Sequence, residues 1–157
     1  EAPENRAVMI ATGQAWDEEM RDRIERHQRD RAERVPGMLT VEEPLALAEA
    51  VRAASTPHTL VVVDCLTLWL TNLMMPAQGA SADPESPTLA LCRAVQDAPG
   101  PVVLVSNEIG LGVIPMGRDV RAYVDALGGV NQRVAAVCKR VTLMAAGLPL
   151  SLKDLSR

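Results

Sequence analysis

The chain has 157 residues, of which 48% are hydrophobic, and a formal net charge of −4. This length fits one domain of roughly 100–150 residues, so we predict a single domain over residues 1–157. The negative charge and the aromatic content of 2% argue against a nucleic-acid-binding module, which is basic and often stacks bases on aromatic rings. No apolar run approaches about 18 residues, and the opening residues EAPENR lack a signal-peptide pattern, so we expect no membrane span.

The cysteines are three in number and far apart in the chain, and no C-x-x-C pair occurs. Cys65, Cys92 and Cys138 therefore favour free thiols in a reducing cytoplasm over disulfides or a zinc site.

Continuous apolar, β-branched runs punctuate the chain and predict parallel strands that are covered on both faces. They are Ala7–Ala11, Leu60–Val63, Val102–Val105 and Val141–Ala145, with Leu148–Leu152 as a short fifth candidate.

Helical patterns fill the gaps between the strands. The predicted helices are Asp17–Arg34, Pro44–Ala54, Cys65–Met75, Thr88–Ala98, Arg118–Leu127 and Val130–Arg140, the last two separated by Gly128-Gly129. Strands that alternate with helices predict an α/β domain, with a mostly parallel sheet and helices on both faces. Such sheets bind ligands at the carboxyl ends of their strands.

Three polar segments follow predicted strand ends: Thr12-Gly13, Asp64, and Ser106–Glu108. Asp64 ends the run LVVVD, which has the form of a Walker B strand whose carboxylate holds Mg²⁺ beside nucleotide phosphates. An equally open interpretation is that Asp64 caps the next helix. Glu108 either lines the same site or is solvated in a turn that uses the conformational freedom of its glycines.

His27 shares a helical stripe with Met20 and Ile24. Periodicity alone favours a partly buried histidine packed on the sheet. The alternative is a nucleophile surrounded by arginines that match phosphate oxygens. His58 has the pattern of an ordinary loop residue, and Asn131, just after the glycine pair, that of a helix cap.

Several stretches together resemble one family, the bifunctional adenosylcobinamide kinases / adenosylcobinamide-phosphate guanylyltransferases of cobalamin biosynthesis. They run in the family's order and span nearly the whole chain. The matching residues are 9–31 (MIATGQAWDEEMRDRIERHQRDR), 40–44 (TVEEP), 60–74 (LVVVDCLTLWLTNLM), 102–115 (VVLVSNEIGLGVIP), 128–135 (GGVNQRVA) and 146–153 (AGLPLSLK).

The resemblance implies a three-layer, RecA-like P-loop NTPase fold that assembles as a homotrimer. It implies phosphorylation of adenosylcobinamide by a nucleoside triphosphate, ATP or GTP, with Mg²⁺. The enzyme then transfers GMP from GTP to adenosylcobinamide phosphate through a covalent GMP-histidine intermediate and releases pyrophosphate.

The family's functional residues map onto this chain motif by motif. The RI-x-x-H segment places the nucleophile at His27, and Glu108 lines the site without an assigned role. Asp64 is the expected Mg²⁺ partner. The expected nucleotide contacts are Ala11, Thr12, Gly13, Gln28, Arg29, Asp30, Arg31, Glu42 and Asp64.

One departure from the family concerns its opening strand and glycine-rich phosphate loop. No G-x-x-x-x-G-K-[ST] segment occurs in these 157 residues, so we expect the functional protein to be longer. One alternative is a nucleotide-binding or assembly subunit of this fold that lacks the loop and catalysis. Another is an unrelated small-molecule kinase that shares only the Walker B strand, although such a kinase would not need the RI-x-x-H helix.

Overall fold

A computed structural model describes residues 6–15 and 17–155. Within these residues, no helix is both long and apolar enough to cross a bilayer. The described elements are, in order, β1 (Arg6–Ala11), α1 (Glu18–Arg34), β2 (Leu39–Glu42), α2 (Leu47–Ala54), β3 (Thr59–Asp64), α3 (Leu66–Met74), α4 (Glu85–Asp97), β4 (Val102–Val105), α5 (Arg118–Val137), β5 (Arg140–Ala145) and β6 (Leu148–Asp154).

The main sheet has the strand order β2-β1-β3-β4, and every neighbouring pair is parallel. The predicted α/β class with a mostly parallel sheet is therefore confirmed. Sequence reasoning missed β2 as a strand, because Leu39–Glu42 is an exposed edge strand that lacks a continuous apolar run.

The core lies between the sheet and helices α2 to α5. Ile10 pairs with Val63 in the register, so these side chains share a sheet face, and both are fully buried. Each fully buried aliphatic side chain contributes roughly 1.5–3 kcal/mol. The helical side chains that pack against this face include Leu47, Val51, Trp69, Leu70, Leu91, Leu127 and Val130.

Helix α1 follows the carboxyl end of β1 and is mostly exposed. Asp17 begins it as an N-cap, since its Oδ1 accepts the Met20 N–H at 2.7 Å. Of its described side chains, only Met20 and Ile24 are partly buried. A Cβ placed on Gly13 would lie 3.4 Å from Leu68 Cδ1 and 3.9 Å from Ile24 Cδ1, so Ile24 packs over the end of β1.

The prediction of two helices around Gly128-Gly129 is wrong, because α5 continues through both glycines. A glycine inside a helix costs about 1 kcal/mol relative to alanine. Here that cost is offset by the burial of Leu127, Val130 and Val134, which lie along one face of α5.

The prediction that Val141–Ala145 joins the parallel sheet is also wrong. This strand, β5, pairs antiparallel with β6 in a separate two-stranded sheet. The connecting residues Ala146 and Gly147 both have positive φ, 52° and 74°, as a two-residue hairpin turn requires. Such a short connection allows only antiparallel pairing, because a parallel crossover needs a dozen or more residues.

Candidate functional site

The carboxyl ends of the four neighbouring strands form one row at the edge of the main sheet. The register pairs Ala11 with both Glu42 and Asp64, and Asp64 with Val105. The fold therefore brings the predicted residues of three sequence motifs side by side, and the segment that carries Glu108 starts directly after Val105.

Thr12 connects β1 to β3 at this edge. Its side chain is fully buried, its Oγ1 donates to the Cys65 carbonyl at 2.6 Å, and the same oxygen accepts the Cys65 N–H at 2.9 Å. The Thr12 N–H donates to the Asp64 carbonyl at 3.1 Å. The Asp64–Cys65 peptide bond lies within this network and is cis.

Asn72 completes the Thr12 network from helix α3. Its Nδ2 donates to the Thr12 carbonyl at 2.7 Å and to the Pro44 carbonyl at 3.0 Å. Sequence reasoning missed this residue, because it lies in the nearly continuous apolar run of residues 65–75. The only available signal was one amide side chain among buried hydrophobic neighbours.

The segment between β2 and α2 contains two glutamates with different environments. Glu43 Oε1 accepts the N–H groups of Leu45 and Ala46 at 2.9 and 2.8 Å. These bonds order the turn before α2, which begins at Leu47 rather than at Pro44 and has Ala46 at its N-cap position. Glu42 instead points towards α1, where its Oε1 lies 3.4 Å from Gln28 Nε2.

Asp64 has a partly exposed side chain. The interpretation of Asp64 as a helix cap is wrong, since α3 has Cys65 at its N-cap position and no side-chain cap. No group of three or more potential metal ligands occurs among the described residues. A single strand-end carboxylate nevertheless fits Mg²⁺, which commonly binds one or two carboxylates, nucleotide phosphates and water.

His27 is exposed, so the interpretation as a partly buried histidine is wrong. Arg23, Arg26 and Arg29 of the same helix are exposed as well. Glu25, Gln28, Arg29 and Ala32 lie along one exposed face of the same helix. Asp30 is exposed on α1, whereas the side chain of Arg31 lies outside what the structure describes.

The segment after β4 is held by two helices. Ser106 Oγ donates to Asn131 Oδ1 at 2.6 Å, and Asn131 Nδ2 donates to the Asn107 carbonyl at 3.1 Å. The Asn107 N–H donates to Thr67 Oγ1 at 3.0 Å. Asn131 is therefore not a helix cap, as its position had indicated, but a side chain in the middle of α5 that anchors this segment.

Glu108 lies in that anchored segment and is exposed. Its Oε1 accepts the Gly110 N–H at 2.8 Å. Neither Gly110 nor Gly112 has a positive φ, so glycine dihedrals do not explain the turn.

Comparison with known proteins decides the family. A family model described as cobinamide kinase / cobinamide phosphate guanyltransferase (CobU) matches residues 1–152. The chain belongs to this family. The CobU family has a P-loop NTPase-like fold, which agrees with the predicted fold class.

Individual members of the CobU family show the same similarity. Bifunctional adenosylcobalamin biosynthesis protein CobP of Pseudomonas aeruginosa is 47% identical over 144 residues, covering 92% of this chain and 80% of that protein. Bifunctional adenosylcobalamin biosynthesis protein CobU of Escherichia coli K12 is 34% identical over 161 residues, covering 95% and 87%. The protein of the same name from Salmonella typhimurium LT2 is 34% identical over 158 residues, covering 93% and 85%.

Membership of the CobU family excludes the unrelated small-molecule kinase as an interpretation, because the match extends far beyond the Walker B strand. The family's kinase and guanyltransferase activities both imply the use of a nucleoside triphosphate.

Proposed function

We propose that this protein phosphorylates adenosylcobinamide with ATP or GTP and then transfers GMP from GTP to adenosylcobinamide phosphate. The observation that carries the proposal is the CobU-family match over residues 1–152. The row formed by Glu42, Ala11 and Asp64 supports it, because ligands of parallel α/β sheets bind at this edge.

We assign the nucleophile of guanylyl transfer to His27. Its neutral imidazole attacks the α-phosphorus of GTP, the bond between that phosphorus and the bridging oxygen breaks, and pyrophosphate leaves. A phosphate oxygen of adenosylcobinamide phosphate then attacks the same phosphorus, and the P–N bond breaks to regenerate the imidazole. The exposure of His27 supports this role, because both partners must reach one nitrogen from solvent.

The nucleotide lies, in this proposal, between α1 and the strand ends. Gln28, Arg29, Asp30 and Arg31 follow the nucleophile, and Glu42 of β2 contacts Gln28. Arginines suit this position because their guanidinium groups match phosphate oxygens.

In this proposal, the nucleotide approaches the backbone of Ala11 and Gly13 at the end of β1. Thr12 has a different role in the proposal, because its N–H, carbonyl and hydroxyl groups are all bonded within the protein. It holds its two neighbours in place rather than contacting the nucleotide.

Asp64 would hold Mg²⁺ together with the nucleotide phosphates. Bound Mg²⁺ offsets the negative charge of the phosphates and of the pyrophosphate leaving group. The Asp64 backbone is fixed by Thr12 and by pairing with Ala11 and Val105. The side chain that carries the carboxylate therefore extends from a fixed position. Glu108 lines the same edge in the proposal, on the segment anchored by Asn131.

We also propose that the protein is a cytoplasmic homotrimer. Its three cysteines are free, as in proteins of reducing compartments. Leu148, Leu150 and Leu152 form an exposed apolar stripe on β6, and such patches commonly mark contacts between protein chains. Light scattering should give three times the chain mass, and a monomer at micromolar concentration would contradict the trimer.

The test of the catalytic proposal is the intact mass of the full-length protein after incubation with GTP and Mg²⁺. We expect a GMP-sized adduct that acid releases and alkali preserves, as for a phosphoramidate. His27→Ala should abolish the adduct and keep measurable adenosylcobinamide phosphorylation, because phosphoryl transfer does not need the nucleophile.

His58→Ala is the matched control, because His58 is exposed at the opposite end of β3 and its loss should leave the adduct intact. An adduct of full yield on His27→Ala would contradict the assignment. Absence of any adduct on the wild-type protein would favour the non-catalytic subunit.

A further inference from the structure

The side-chain amide of Asn72 donates one hydrogen bond to each of two segments that are distant in sequence. Its Nδ2 lies 2.7 Å from the Thr12 carbonyl and 3.0 Å from the Pro44 carbonyl. An amide nitrogen has two N–H donors, so this nitrogen is fully used. Asn72 is only 3% exposed, and water therefore does not compete for these bonds.

The two carbonyls belong to the two sides of the nucleotide site. Thr12 stands between Ala11 and Gly13 at the end of β1, and Pro44 follows Glu42 and Glu43 at the end of β2. A single nitrogen bonded to both carbonyls fixes the distance between these segments.

The β2–α2 segment depends on such side-chain donors. The Glu43 N–H donates to the Ala11 carbonyl at 3.0 Å, but Pro44 has no N–H to continue the sheet. From α3, one turn before Asn72, Trp69 Nε1 donates to the Leu45 carbonyl at 3.0 Å. Trp69 and Asn72 of α3 thus bind the carbonyls of two consecutive residues, Leu45 and Pro44, in the segment that follows Glu42.

We propose that Asn72 is a positioning residue of the nucleotide site, setting the separation of the Ala11–Gly13 segment from Glu42. The inference rests on the proposed guanylyl transfer, because it assigns these two segments to the nucleotide. Without the Asn72 amide, the link between Thr12 and Pro44 is lost, and the end of β2 is held to β1 by the strand pairing that ends with the Glu43 N–H on the Ala11 carbonyl. In this proposal, that loss lets Glu42 shift relative to the end of β1. Errors of about 1 Å in such positioning reduce catalysis up to about 100-fold.

A purely structural role would lower stability without changing nucleotide affinity, and the experiment separates the two. Asn72→Leu replaces the amide by an apolar group of similar shape, and Trp69→Phe removes only the neighbouring donor while keeping an aromatic ring. Thr88→Val is the matched control. Thr88 is 1% exposed and donates through Oγ1 to the Pro84 carbonyl at 2.6 Å, which also accepts the Thr88 N–H, so this variant loses a buried side-chain bond that is local to α4.

The readouts are Tm and the KM for GTP in adduct formation by the full-length protein. We expect Asn72→Leu to raise the KM about tenfold or more, Trp69→Phe to raise it less, and Thr88→Val to leave the KM unchanged. An unchanged KM in both α3 variants, or an equal rise in Thr88→Val, would overturn the inference. If Asn72→Leu does not fold, Trp69→Phe decides alone, and a wild type without adduct overturns the proposed function itself.

Discussion

Gln28 and Glu42 meet between helix α1 and the end of strand β2, where Gln28 Nε2 lies 3.4 Å from Glu42 Oε1. Gln28 directly follows His27 in the chain, and Glu42 pairs in register with Ala11. This contact brings α1 within hydrogen-bond distance of the end of β2 at the residue next to His27, although α1 is otherwise mostly exposed.

The first prediction concerns Glu42. Replacing it with alanine removes both the contact to Gln28 and a carboxylate of the proposed nucleotide site, so we expect the KM for GTP to rise about tenfold, as for the loss of one bond to a charged group. Glu49→Ala is the control, because Glu49 is an exposed glutamate paired only with Arg52 across 3.8 Å. Steady-state kinetics of adduct formation check the prediction, and equal KM values in both variants would contradict it.

The second prediction concerns Asp64. Asp64→Asn keeps the size of the side chain and removes its charge, so Mg²⁺ should bind more weakly and both activities should fall by about tenfold or more. The Mg²⁺ concentration for half-maximal rate should rise. Asp97→Asn, at the exposed end of α4, should leave both quantities unchanged. Identical Mg²⁺ titrations for wild type and Asp64→Asn would rule out this metal role.

The third prediction concerns the bond between Ser106 and Asn131. Ser106→Ala should lower the free energy of unfolding by about 1 kcal/mol, and Asn131→Ala should lower it by more, because this variant also loses the bond to the Asn107 carbonyl. The double variant should lose less than the sum of the two, with a coupling of about 0.5 kcal/mol or more, because both changes remove one shared bond. Urea unfolding of the four proteins measures this cycle, and strictly additive effects would show that the bond contributes nothing.

The fourth prediction concerns pH and the buried thiols. Burial raises the pKa of Cys92 and of Cys138 above the ordinary value of 9.0, against smaller opposing effects of Arg133 and Lys153. Folding therefore favours the protonated thiols, and this contribution is complete below about pH 9 and lost as pH rises through the raised pKa values. Unfolding free energy should fall above about pH 9.

Tyr123 provides an internal check on that pH dependence. Burial also raises its pKa from 10.0, so it contributes a decline of the same sign at higher pH. In a variant that carries both Cys92→Ala and Cys138→Ala, the free energy of unfolding should still decline at the higher pH where Tyr123 ionises. The decline that the thiols cause at lower pH should be absent. Denaturant unfolding between about pH 7 and pH 11 checks this, and superimposable profiles would refute the thiol contribution.

The sequence by itself determined the α/β class, the position of β1, β3 and β4, and the family. Continuous apolar runs predicted the strands, although not their burial on both faces, since Val103 and Val105 of β4 are exposed. Motif order is read directly from the residues. Asp64 was predicted from its place at the end of an apolar strand, whereas His27 and Glu42 were predicted as site residues from the resemblance to the family, and all three assignments stay predictions.

Tertiary structure alone decided which groups meet. The role of Asn72 depends on carbonyls that are 60 and 28 residues away, and that of Asn131 on a strand end 25 residues away. Likewise, β5 resembles a core strand in sequence, yet its turn at Ala146-Gly147 commits it to β6. Side-chain periodicity records whether a residue is buried but not which partner buries it, since that partner is set by packing between distant segments.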